Sequence, residues 1–300
     1  MTDAVATDSA PARRRRPRVR INSTLRRVAS RPSGAIGLIL TIFFVLLALF
    51  APLVAPYDPA AFDPDLVHLP PSAMHLMGTD SLGRDVLSRV AFGGRLALVV
   101  TFCAAIIALL WGGTAGIFFG VVGGRIDEFA MRIVDGFLAI PWLLFLLLMA
   151  SITGGGAWIV IPILGFFYGI AIIRVARAAA LQIGARDFVT AAKLRGEPRW
   201  SIIRTEVFPN VADIIFVEGA MRWSWMLIAF ASLSFLGFGA TPPTVDWGLM
   251  IANERAFMAV APWSVLWPCL ALSTLIIGIN LLADALGKAV GVDRAGDMPA

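Results

Sequence analysis

Hydrophobic and polar positions alternate in long blocks along this chain. The segment from Gly34 to Pro56 (GAIGLILTIFFVLLALFAPLVAP) is uncharged, and further apolar blocks follow at about residues 96–122, 129–152, 157–173, 211–236 and 260–283. A helix rising about 1.5 Å per residue needs roughly 20 residues to cross a ~30 Å hydrocarbon core. Each block is at or near that length, so the pattern predicts six membrane-spanning helices. The first block exceeds the ~7–15 apolar residues of a cleavable signal peptide, which makes it an uncleaved span. Pro141 in the third block and Pro162 in the fourth predict kinks, because proline frees a backbone carbonyl inside a membrane helix.

Between the fourth and fifth blocks lies a polar interruption, Asp187 to Asn210 (DFVTAAKLRGEPRWSIIRTEVFPN). Glycine favours the position just past a helix C-terminus, and proline the first turn of a helix. The segment therefore predicts a short helix ending near Arg195, a turn at Gly196-Glu197 and a second helix stopped by Pro209, together a compact elbow. A second polar stretch, residues 57–94, opens with five prolines from Pro56 to Pro71 and continues as GTDSLGRDVLSRVAFGGR. There Thr79 or Asp80 is expected to cap a short amphipathic helix with Leu82, Val86, Leu87 and Val90 on one face, lying at the membrane interface. Gly112, Gly116, Gly120 and Gly124 recur every fourth residue and predict a smooth ridge for close helix packing.

Composition agrees with the block pattern: hydrophobic residues make up 58% of the 300, against ~45–50% in ordinary soluble domains. Charge then sets an orientation. Nine of the 25 basic residues lie in the first 31 positions, leaving 16 basic against 18 acidic residues in the rest of the chain. A basic, Arg-rich tail over residues 1–33 is expected to be disordered and to hold the N-terminus in the cytoplasm, and binding of nucleic acid is not expected of it. With both termini and the elbow inside, 20 basic residues fall on the cytoplasmic side, and only Arg84, Arg89, Arg95 and Arg255 fall outside. The expected organisation is thus the tail, a first helix over 34–56, an extracytoplasmic segment over 57–94, a five-helix core over 95–286 that includes the elbow, and a cytoplasmic tail over 287–300.

Candidate chemistry is sparse. His68 and His75 stand in the Pro-rich stretch without a cysteine or carboxylate cluster and are read as solvated, with no metal site. Trp263 and Trp267 are expected as interfacial anchors of the sixth helix. Cys103 and Cys269 lie in apolar blocks as small hydrophobes. No GxxxxGK[ST] phosphate loop and no nucleophile–base pair occur, so neither an enzyme nor a cofactor is predicted. Among the charges within the apolar blocks, Asp135, Glu218 and Arg222 are the candidates for a role in passage. Glu218 and Arg222 are four residues apart with the acid first, the better orientation for a helical pair. Glu218 and Arg222 either neutralise each other inside the bundle or, with Asp135, line a substrate path or gate.

The elbow carries a resemblance. TAAKLRG followed nine residues later by EVFP is similar to the EAA loop of type I ABC importer permeases, whose pattern is Glu-Ala-Ala, three residues, Gly, nine residues, Ile-x-Leu-Pro. Ala191, Ala192, Gly196 and Pro209 fit and Phe208 takes the Leu position, whereas Thr190 replaces the Glu and Glu206 the Ile. GTDSLGRDVLSRVAFGGRLAL, SFLGFGATPPTVDWG and APWSVLWP resemble the C-type permease subunit of dipeptide, oligopeptide and nickel importers, and these matches extend from about Leu38 to Asp293.

The resemblance implies an all-α permease in a bacterial inner membrane that imports di- or oligopeptides. It also implies a B-type permease partner, two cytoplasmic ATPase subunits and an extracytoplasmic solute-binding protein. It makes the elbow an ATPase-docking loop, carried by Asp187, Thr190, Ala191, Ala192, Leu194, Gly196, Arg199 and Pro209. The alternative, a stand-alone secondary transporter or channel, predicts similar halves and a self-contained charged ion site, neither of which is visible.

Overall fold

The computed structural model describes residues 26–290, and the basic run at Arg13 to Arg20 and the last ten residues lie outside them. Among the described residues helices are the only extended elements, with no strand. Five helices are long and apolar enough to cross a membrane, and a sixth span results if one sharply bent pair is counted as one.

Helix α1 (Pro32–Leu49) runs directly into a short turn, α2 (Ala51–Val54). The expected interfacial helix beyond it does not exist. Residues 78–85 form a loop, and Asp85 caps α3 (Val86–Val122) by accepting a hydrogen bond from the Ser88 N–H at 2.8 Å. Neither Thr79 nor Asp80 caps anything, because both side chains are used to hold the loop: the Thr79 hydroxyl accepts from Leu69 N and Asp80 accepts from Leu82 N and Arg84 N. The 37 residues of α3 amount to about 55 Å, well beyond a bilayer core.

Helix α3 packs along α6 (Ala157–Gly184), and the glycine ridge is the seam between them. A Cβ on Gly116 would stand 2.5 Å from the Ile173 carbonyl oxygen and 2.6 Å from the Ala176 Cβ, and one on Gly112 would stand 2.4 Å from the Gly169 oxygen. Backbone is met by backbone here, so only glycine fits. Gly124 does not belong to the ridge. It follows the α3 terminus at φ 65°, with nothing within 4 Å of its would-be Cβ.

The third apolar block is not one kinked helix. It divides into α4 (Gly124–Leu138) and α5 (Trp142–Thr153), which meet at 87°. Pro141 stands just before α5 in extended geometry and has no N–H to offer the preceding turn, so the chain leaves the helix at Ala139 and Ile140. Helix α4 is amphipathic and fastened sideways to α6: the Arg177 guanidinium donates to both carboxylate oxygens of the buried Asp127, each at 2.5 Å.

Beyond α6 come α7 (Asp187–Leu194), α8 (Arg199–Ile202), a wider turn at Ile203–Val207 and α9 (Phe208–Phe235). Pro209, expected to stop a helix, instead lies in the first turn of α9, where a missing N–H does no harm. From Arg199 to Phe235 the chain is a single 37-residue helix with the wide turn let into it. α10 (Trp247–Glu254) and α11 (Pro262–Val290) complete the bundle, the latter running past residue 286, where the core was expected to end.

Candidate functional site at the elbow and the membrane charges

The elbow is built around its glycine. Gly196 has φ +77°, its N–H donates to Lys193 O at 3.0 Å, and the Glu197 N–H donates to Ala192 O at 3.2 Å. These two bonds are the six-to-one and five-to-two pair that closes a helix through a left-handed residue, and they stop α7 abruptly. Val189 and Ala192, three residues apart, turn into the bundle and are fully buried. Ala192 thus seats α7 on the spans, while Asp187, Thr190, Ala191, Leu194 and Arg199 are exposed. Leu194 is 85% and Trp200 70% exposed, and Phe188 is also open to solvent. Exposed apolar groups at a helical corner were missed in the sequence, where only the basic residues and the small ones stood out. Arg195 is paired with Glu197 at 2.5 Å, leaving Arg186, Lys193, Arg199 and Arg204 without an ion-pair partner among the described residues.

Pro209 follows the wide turn, in which the Phe208 N–H donates to Ile203 O, five residues back. The Asn210 side-chain amide donates to Glu206 O at 2.6 Å and the Thr205 hydroxyl donates to Ser201 O at 2.8 Å, so side chains add bonds to carbonyls of their own helix.

Of the membrane charges, Glu218 and Arg222 come together, with Arg222 Nε 2.6 Å from Glu218 Oε1. The flanking Met221 and Trp225 are exposed on a face of α9 that nothing else among the described residues covers. Asp135 is not with them. It stands exposed near the end of α4, 3.7 Å from Arg174 on α6.

At the far end of the bundle from the elbow, polar groups read as solvated are buried. His75 stacks beside Tyr57 with its Nδ1 3.0 Å from Asp85 Oδ1. Glu254 accepts from both Ser81 N and Ser81 Oγ and lies 3.9 Å from His68 Nε2. Arg84 and the buried Arg89 share Asp80. Trp263 is not a free interfacial anchor, since its indole N–H donates to Thr79 O at 3.1 Å and holds the same loop. Asp246, fully buried before α10, has its carboxyl pushed up to about 6 by loss of solvent, against hydrogen bonds from Leu249, Ser234 and Gly248 that favour the ionised form. The 57–85 stretch and the 237–261 stretch are thereby joined into one polar cap.

Residues 112–292 match the family described as binding-protein-dependent transport system inner membrane component, and residues 21–71 match the N-terminal transmembrane domain of oligopeptide transport permease C. The chain belongs to the binding-protein-dependent transport permeases. Within this family it is 36% identical over 264 residues to a di/tripeptide transport system permease protein, DppC, of Pseudomonas aeruginosa, covering 86% of this chain and 87% of that one. It is 33% identical to a glutathione transport system permease protein, GsiD, of Pectobacterium atrosepticum, with 83% of each chain covered. A nickel transport system permease protein, NikC, of Escherichia coli is 32% identical, over 86% of this chain and 94% of its own. The permease is a multi-pass inner-membrane protein of the peptide, nickel and glutathione importer family, with the type I ABC transmembrane fold.

Proposed function

We propose that this permease carries di- or oligopeptides inward, driven by ATP that two partner ATPase subunits hydrolyse, together with a B-type permease and an extracytoplasmic solute-binding protein. Both termini and the elbow then face the cytoplasm. The observation that carries the reading is the elbow: a short helix with a rigid cap, seated on the bundle through Val189 and Ala192 and presenting Phe188, Leu194 and Trp200 among basic side chains. Exposed leucine and tryptophan are costly at a surface that stays in water, and they fit a groove on a partner. Asp187, Thr190, Ala191, Leu194 and Arg199 would touch the ATPase, while Ala192, Gly196 and Pro209 hold the shape.

The peptide cargo rests on the chain's likeness to permeases named for dipeptides and for di- and tripeptides. We assign to a path or gate shared with the second permease the half-buried Glu218–Arg222 pair on α9, together with Asp135, which stands 3.7 Å from Arg174 at the end of α4. Purification in mild detergent tests the assembly: ATPase subunits should accompany the chain. Consistent isolation as a lone, functional transporter would remove the reading.

A further inference from the structure

A cleft of about 440 Å³ opens at the end of the bundle opposite the elbow, between the last turn of α9 and the last turn of α10. Phe235, Leu236 and Leu249 form its apolar wall, and Asn253 and Arg255 its polar rim. The volume lies in the range of small-molecule sites, which combine apolar walls with a few placed polar groups.

The charge at this end is distributed unevenly. Of its four arginines, Arg84 and Arg89 share the single carboxylate of Asp80. Arg95 is spent on the carbonyls that end α1, those of Ala48 and Leu49. Arg255 alone has neither a carboxylate partner among the described residues nor a full set of carbonyls. Its guanidinium stands 5.2 Å from the centroid of the Phe235 ring, and only Nη1 is engaged, donating to Ala252 O at 2.9 Å. The acids beside it do not cancel it: Glu254 is buried against Ser81 and faces the other way, and Asp246 is held by the first turn of α10. The ring face and the carbonyl fix the guanidinium in place, so its remaining donors are preset for a planar anion.

We propose that this cleft is an entry site for a carboxylate of the cargo, with Arg255 as the binding group and the Phe235–Leu249 wall taking an apolar side chain. The proposal rests on the reading above, in which this end receives small carboxylate-bearing cargo. Peptides, glutathione and carboxylate-chelated metal all present such a group.

Two measurements on the complete importer test it, the first independent of cargo. In a Cys103→Ser, Cys269→Ser background, Asn253→Cys should react faster with an anionic thiosulfonate than with a cationic one, and Arg255→Gln should reverse that order. Equal rates with and without Arg255 would overturn the site. The second is uptake of Ala-Phe and of its C-terminal amide in proteoliposomes. Arg255→Gln should lower the maximal rate for the acid by about tenfold, the worth of one charge-assisted contact, and leave the amide unchanged, with Arg255→Lys in between. An equal loss for acid and amide would overturn the proposal, because it would mean that Arg255 serves the delivering protein and not the cargo. If the wild-type importer moves neither probe, the peptide reading falls, and the thiol-reagent rates still decide the site.

Discussion

Replacing Gly196 separates backbone geometry from contact area at the elbow. The residue holds φ +77°, and no heavy atom lies within 4 Å of the position a Cβ would take, so a substitution there meets no steric neighbour and its cost is conformational. Alanine in the left-handed region costs about 1–2 kcal/mol, and asparagine less because it visits that region readily. Proline cannot adopt it at all and also deletes the N–H that reaches Lys193 O. A cost of 1–2 kcal/mol shifts the ratio of capped to uncapped elbow by roughly 5–30-fold. Uptake per ATP hydrolysed by the reconstituted importer should therefore fall in the order Gly, Asn, Ala, Pro. The amount of protein inserted in the membrane should stay constant, because no packing is lost. Uptake at the wild-type rate with proline, or a loss that follows side-chain size in place of backbone cost (asparagine worse than alanine), would refute the reasoning.

Two further outcomes follow from charged groups. Asp246 has its folded carboxyl raised from 3.8 to about 6 by burial, so between those values the folded state holds a proton that the unfolded state has released. This group then adds stability as pH falls from 7 towards 4, by an amount on the order of 3 kcal/mol, and that gain is lost as pH rises through 6. Asp246→Asn keeps an oxygen for Leu249 and should melt higher than wild type at pH 7, with a flatter pH dependence; identical slopes would contradict the assignment. At the membrane pair, Arg222→Leu leaves Glu218, whose side chain is 13% exposed, without its partner. The loss should be roughly 2 kcal/mol, below that of a fully buried pair because Arg222 is a third exposed. Transport should fall with it, and the double variant Glu218→Gln, Arg222→Gln should recover stability but not transport. Unchanged stability and transport in Arg222→Leu would end the idea of a working pair.

Helix positions were legible in the sequence where one physical requirement dominates. Apolar length set the spans, and the four-residue glycine period set the α3–α6 seam, because a backbone carbonyl at 2.5 Å from a would-be Cβ tolerates nothing larger. Proline was legible only as a perturbation. Pro141 and Pro209 look alike in the chain, yet the helix breaks before the first and runs on through the second. The difference lies in the backbone around them: before Pro209 the ladder widens and the Phe208 N–H still reaches Ile203 O, whereas before Pro141 the chain turns away through 87°. Polarity misled at the far end for a related reason. Ser81 and Glu254 are 173 positions apart, and burial of either is affordable only once the other is in place. No local pattern records such a partner, so His75 read as solvated and the loop before Asp85 read as a helix.

The candidate site divided along the same line. Its spacing and its glycine were visible, whereas the direction of each side chain was not: Ala191 and Ala192 are neighbours of one type, and one faces solvent while the other is fully buried. That division has a mechanical consequence. The elbow is fixed to the bundle through Val189 and Ala192, and the chain then continues without a break from Arg199 to Phe235, where the arginine-rimmed cleft begins. On the proposed function, a displacement imposed on the elbow would travel to the opposite end through one helix, and the wide turn at Ile203–Val207 is the place in it where the hydrogen-bond ladder departs from regular spacing. A change of twist is most readily taken up there, because the ladder is already wider than the regular helix over those five residues. The Glu218–Arg222 pair rides on the same helix between the two ends. A push at the elbow must accordingly either rotate that pair relative to the uncovered face of α9 or be absorbed in the turn below it.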